Sequence, residues 1–154
     1  MSYFIYGSFE IPGGGKSAEL AARLRELARK QGLELASEAV LQRSVVESVL
    51  LDRSLTGDDR LPFLLVQTAG EDTSDNLISP FAVISRAERL ASAERIGRFM
   101  EAVGRAGVEG FDLLVSEGYD VAFTDFVAVW SGARRAVEAV LLLSEDESVH
   151  LRVG

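Results

Sequence analysis

The order of elements in this sequence predicts an α+β fold with a largely antiparallel sheet. Three observations carry that expectation. Strand-type segments follow one another with few helical segments between them, and only two stretches have clear helical periodicity. A doubly wound parallel sheet would also need more crossover helices than the chain supplies. At 154 residues the chain is read as a single domain, residues 1–154, with two or three helices packed on one face of the sheet. A content of 47% hydrophobic and 26% charged residues fits a folded chain with a core rather than a disordered one.

Residues 3–11 are aromatic and β-branched and read as a strand that ends at Pro12 and the glycines behind it. Ser17 is placed to cap a helix, with Glu19 in its first turn; Leu20, Leu24, Leu27 and Ala28 then recur at helical spacing. Arg29 and Lys30 suit the negative end of that helix and Gly32 its stop. Residues 33–52 admit two readings. Leu41, Val45 and Val49 fit one helix face, whereas Val40, Val45, Val46 and Val49 among serines suit strands, and strands over 34–42 and 45–52 are expected. A polar loop over 54–61 leads to an apolar strand at 62–67; a second loop over 70–76 precedes a strand at 77–84, with Pro80 marking an edge or bulge.

Ser85 and Glu88, three residues apart, form a capping box ahead of a helix that carries Ile96, Phe99, Met100 and Val103 on one face and ends at Gly104 and Gly107. Residues 111–115 read as a short strand. Residues 126–130 and 136–143 suit either one helix broken at Gly132 or two strands. A polar turn at 144–148 and a closing strand at 149–153 follow, and a hairpin across that turn is expected.

Composition closes off several kinds of chemistry. Without cysteine there is no disulfide framework, zinc–thiolate site or thiol nucleophile, and one histidine cannot make a two-histidine metal site. Sixteen basic against twenty-four acidic residues give a formal charge of −8, which opposes direct binding of a phosphate backbone. The densest basic run, Arg23, Arg25, Arg29 and Lys30, shares a helix with Glu19 and Glu26 at salt-bridge spacing and reads as a solvated face. The first residues lack the basic region and long apolar core of a signal peptide, and no apolar run approaches the ~20 residues of a membrane span. A cytoplasmic location without membrane association is the expectation.

Three motifs invite chemistry. Gly15, Lys16 and Ser17 supply the last positions of the phosphate-binding pattern G-x-x-x-x-G-K-[ST], but Glu10 stands where its first glycine belongs and sets a carboxylate beside the phosphates. The acids Asp58–Asp59, Glu71–Asp72 with Asp75, and Glu145–Asp146–Glu147 fall in turns, where solvation explains them; Leu77 occupies the position of a calcium loop's glycine. His150 is the best single general-base candidate, yet no G-x-S-x-G accompanies it, and a structural role is expected. No catalytic residue, cofactor or metal ligand is assigned. Among the aromatic residues, Tyr119 and Trp130 lie beside acids, a combination that makes interface anchors, so Glu117, Tyr119, Asp120, Asp125 and Trp130 form the candidate partner-binding patch.

The segments Phe4-Ile5-Tyr6-Gly7-Ser8-Phe9-Glu10-Ile11 and Phe111-Asp112-Leu113-Leu114-Val115-Ser116-Glu117-Gly118-Tyr119-Asp120 are similar in style to strands of the small bacterial immunity proteins that bind and block a cognate toxin. The overall profile, short, acidic and cysteine-free, resembles them too. The resemblance implies a non-enzymatic protein-binding module that occludes a toxin's active site, with acids facing a basic cleft. The alternatives are a small enzyme or binding protein for a nucleotide or other phosphorylated ligand near Gly13 and Ser17, and a structural subunit of an assembly.

Overall fold

A computed structural model of the chain describes residues 2–12, 18–67, 81–82, 86–116, 122–144 and 147–154. Strand β1 (Ser2–Glu10) occupies the middle of the sheet and pairs antiparallel with two later strands. These are β3 (Arg60–Gln67) on one side and β5 (Gly110–Ser116) on the other. Strand β2 (Leu33–Leu35) extends the sheet beyond β3. On the other side β7 (Val149–Val153) and then β6 (Thr124–Ala128) give the order β2-β3-β1-β5-β7-β6. The two-residue β4 (Phe81–Ala82) pairs with the start of β1 off this path. Every pairing but β6–β7 is antiparallel, and the fold is α+β as its element order predicts.

Side-chain alternation along the strands sends each residue to one of two layers. Ile5 and Phe9, Phe63 and Leu65, Phe111, Leu113 and Val115, and Val149, Leu151 and Val153 face the larger core. Three helices cover it: α1 (Ala18–Lys30), α4 (Arg86–Arg105) and α5 (Ala133–Leu143). They bury the residues that helical spacing picks out, Leu24 and Ala28 of α1 and Ile96, Phe99, Met100 and Val103 of α4. Arg23, Arg25, Arg29 and Lys30 are exposed along the outer side of α1. Gly104 does not stop α4 but lies inside it. A Cβ there would sit 2.8 Å from the Trp130 ring, so the missing side chain is what lets the indole lie against the helix.

The opposite layer corrects the reading of residues 33–52. Strand structure is confined to Leu33–Leu35, and the rest forms two short helices, α2 (Glu38–Gln42) and α3 (Val46–Asp52). The serines among the valines start these helices. Ser37 Oγ accepts a hydrogen bond from the Val40 N–H at 3.3 Å, and Ser44 Oγ accepts one from the Val46 N–H at 3.2 Å. Leu41, Val46, Val49, Leu50 and Leu55 then pack over Tyr6, Leu64 and Leu114. Burial of this apolar stripe outweighs the β propensity of its valines.

A second correction concerns the C-terminal third. Residues 124–128 are a strand, Trp130–Gly132 a 3₁₀ turn and 133–143 a helix, and no hairpin spans 144–148. Strand β7 is instead parallel to β6, so a crossover must join them; α5 supplies it, burying Ala133, Val137, Val140 and Leu141. The expected caps at Ser17 and Ser85 and the residues of 77–80 lie outside the described residues.

Close approach of β1 and β5 depends on Gly7. A Cβ at this position would overlap the Asp112 carbonyl oxygen and come within 3.0 Å of the Phe63 ring. Gly7→Ala is expected to destabilise the fold by ~3 kcal/mol, seen as a lower urea midpoint with an unchanged m-value.

Candidate functional site

On the layer opposite the three long helices, β5 and β7 bring together side chains that the sequence separates widely. Because Phe111, Leu113 and Val115 face the larger core, Asp112 faces the other way; the same alternation in β7 turns His150 and Arg152 out beside it. Arg152 stands directly opposite Asp112, and its Nε donates to Asp112 Oδ1 at 3.0 Å. His150 Nε2 lies 2.7 Å from the same oxygen. From β3, Arg60 reaches across β1 and its Nη1 donates to Asp112 Oδ2 at 2.6 Å. Ser8 stands opposite Asp112 in β1, fully buried, and its Oγ has no hydrogen-bond partner among the described residues.

Helix α3 ends over this cluster. Its last turn delivers Arg53, whose guanidinium lies 4.2 Å from the Phe123 ring centroid and whose Nη1 sits 2.6 Å from His150 Nδ1. A guanidinium can only donate, so Nδ1 accepts, the ring carries its proton on Nε2, and that proton goes to Asp112. Asp125 on β6 stands opposite His150 at the mouth, 3.3 Å from Arg53 Nη1 and 3.5 Å from Nδ1.

Asp112 is 1% exposed. Burial alone would raise its pKa, but hydrogen bonds from His150, Arg152 and Arg60 and the charge of Arg152 more than offset this and hold it at about 2, below its ordinary 3.8. The hydrogen bond to Asp112, with its charge, in turn raises the pKa of Arg152. An ionised carboxylate saturated by three donors is an anchor: it fixes the positions of the groups around it. Two of those groups, His150 and Arg152, line a cleft of about 370 Å³ together with Arg53, Asp125, Phe126 and Val127.

The candidate patch is divided by this arrangement. Asp125 lies at the cleft. Trp130 packs into the core on the other layer, edge-on to Phe111 at 5.5 Å between centroids, with its Nε1–H on the Glu109 carbonyl at 2.8 Å. The two do not share a surface, and Glu117, Tyr119 and Asp120 lie outside the described residues. So do Gly15, Lys16 and Ser17; Glu10, which departs from the phosphate-binding pattern, has its carboxylate 4.0 Å from Arg60. Asp58 and Asp59 are exposed in the turn before β3. His150 is buried in the polar cluster at the cleft, with Arg53 against its Nδ1 and Asp112 against its Nε2.

Arg53, Arg60, Asp112 and Arg152 are the site residues that sequence reading misses. A signal for two of them is present, since Val149, Leu151 and Val153 alternate with His150 and Arg152, and Asp112 interrupts an apolar run. No protein-family model matches the chain, and searches of the curated proteins and of the solved structures return no match. No described helix is long and apolar enough to cross a membrane.

The Asp112 cluster predicts a distinct acid response. A carboxyl whose folded pKa is depressed contributes stability above its unfolded pKa, near 3.8, and loses it as pH falls towards about 2; the shift corresponds to ~2 kcal/mol. Asp112→Asn, which strands a buried Arg60, is expected to cost ~3–5 kcal/mol at neutral pH and to flatten that acid limb in urea titrations across this range.

Proposed function

We propose that the chain is a non-enzymatic protein-binding module that takes an extended segment of a basic protein partner onto the free edge of β6. The observation that supports this reading is the edge itself. Thr124 N–H bonds to the Ser148 carbonyl and the Ala128 carbonyl accepts from Gly154 N–H, so these residues turn their polar groups towards β7. In a parallel ladder the alternate residues, Asp125 and Val127, turn theirs outward. No described strand pairs with that side. Val127 is 81% and Val129 61% exposed. An apolar edge of this kind is one that proteins otherwise blunt or cover, and it is the template used in strand addition.

Charge supports the choice of partner. Asp125 and Glu147 are exposed along or beside this edge, and the chain carries −8 overall, which steers a basic protein towards it. In the form the resemblance to immunity proteins implies, that partner is a toxin and the bound chain occludes its active site. The anchored Asp112, which accepts hydrogen bonds from His150, Arg152 and Arg60, holds the strands behind this edge in a fixed arrangement.

Val127→Pro tests this. It removes one outward N–H and leaves the β7 ladder intact. In parallel affinity captures from the native host, the wild-type chain is expected to retain a basic protein in a salt-sensitive manner. The variant, with near-native thermal melting, is expected to bind it at least about tenfold more weakly. Equal retention by both chains would overturn the reading.

A further inference from the structure

The cleft beside His150 has a chemistry that the edge reading leaves unused. Its two cations are held in place from behind: Arg152 by its Nε bond to buried Asp112, Arg53 by His150 Nδ1 and the Phe123 ring. The terminal nitrogens of Arg152, a side chain 60% exposed, have no described partner. The charge of Arg60 is matched by that of Asp112 at 2.6 Å. Facing the opening are two guanidinium groups and the Asp125 carboxylate, with Asp112 and Glu10 also acting on the charge of Arg152 from behind, so fixed guanidinium donors reach the mouth of a cleft in a protein whose net charge is −8.

That one carboxylate shows what the cleft accepts. Asp125 rests on Arg53 at 3.3 Å, yet its side chain is 68% exposed and its hold is that of a surface pair. A ligand carboxylate that reached Arg53 and Arg152 together would be bound by two planar donors and would displace it. Val127 lines the same space, and about 370 Å³ accommodates a small organic acid with an apolar portion.

We infer that this cleft is a binding site for a carboxylate attached to a small apolar group, held between Arg53 and Arg152 after displacement of Asp125. Val127, exposed on the cleft side of β6, receives the apolar portion. His150 acts as a positioning residue, because its Nδ1 fixes Arg53 while Nε2 is tied to Asp112. The site is independent of strand addition at β6: partner capture without ligand binding would remove this inference and leave the edge reading, and the converse would do the reverse.

The test is a benzoate titration followed by NMR at the arginine Nε–H and His150 ring signals, with acetate and inorganic phosphate as comparison anions. Benzoate is expected to shift the Arg53, Arg152 and His150 signals saturably and to bind more tightly than acetate or phosphate. Arg53→Gln is expected to weaken it about tenfold or more, whereas Arg135→Gln, at an exposed position of α5, leaves it unchanged. Arg152→Lys preserves a cation against Asp112 and guards against misfolding; it should weaken benzoate by removing the fork. Asp125→Asn, by removing the competing carboxylate, should tighten it. A short peptide with a free C-terminus, compared with its amide, separates a protein-borne carboxylate from a free organic acid. No saturable shift, tighter binding of phosphate, or equal affinity in Arg53→Gln and the wild-type chain would overturn the inference.

Discussion

A carboxylate removed from water has to be met by donors, and Asp112 is met by three. Its position in an otherwise apolar strand obliges Arg60 from β3 and His150 and Arg152 from β7 to converge on it. They do so across the central strands of the sheet, where the small Ser8 side chain lies opposite. Removing one member leaves an unmatched charge in the interior, so the cluster holds together as a unit. The same carboxylate divides one face of the sheet. On one side Tyr6, Leu64 and Leu114 lie beneath α2 and α3; on the other the face turns polar and opens as a cleft. Helix α3 ends at this division, and Arg53 follows immediately.

That arrangement has a functional consequence. A guanidinium whose back is held by a buried carboxylate or an imidazole loses little freedom when it meets a ligand, so binding energy is not consumed in ordering it. The two surfaces identified, the cleft and the free edge of β6, meet at Asp125 and Val127. Their chemistry differs. The edge offers backbone groups and exposed valines with acids beside them, whereas the cleft offers cations in fixed positions. A chain with net charge −8 thus sets exposed acids and fixed guanidinium groups side by side in one corner of the sheet.

The fold was legible where periodicity was unopposed. Leu24 and Ala28 of α1, and Ile96 to Val103 of α4, stand on faces that helical spacing marks, and Val149–Val153 is the strand its alternation describes. Legibility failed where local and tertiary preferences conflict. Valines at 45, 46 and 49 favour strands by propensity, but their spacing lets them cover Tyr6 and Leu114 as a helix. The parallel β6–α5–β7 crossover was hidden because Gly132 and the polar turn before Val149 look locally like a broken helix and a hairpin. Of the expected interface residues, Asp125 lies at the cleft, whereas Trp130 is partly buried and packs against the core on the other layer. Arg53 and Arg60 carried no local signal, since their role comes from strands and helices far apart in sequence. The sequence names His150 without its partners, because the pairing of β5 with β7 is what sets Asp112 against it.

The cluster rests on the direction of one proton: His150 protonated on Nε2, giving to Asp112, with Nδ1 accepting from Arg53. Nitrogen-15 NMR of the imidazole at neutral pH reads that direction. It should report a protonated Nε2 and an unprotonated Nδ1, with a long-range coupling or exchange contact from Nδ1 to the Arg53 guanidinium. A ring protonated on Nδ1 alone, or on both nitrogens, would contradict the arrangement on which the anchored cleft depends.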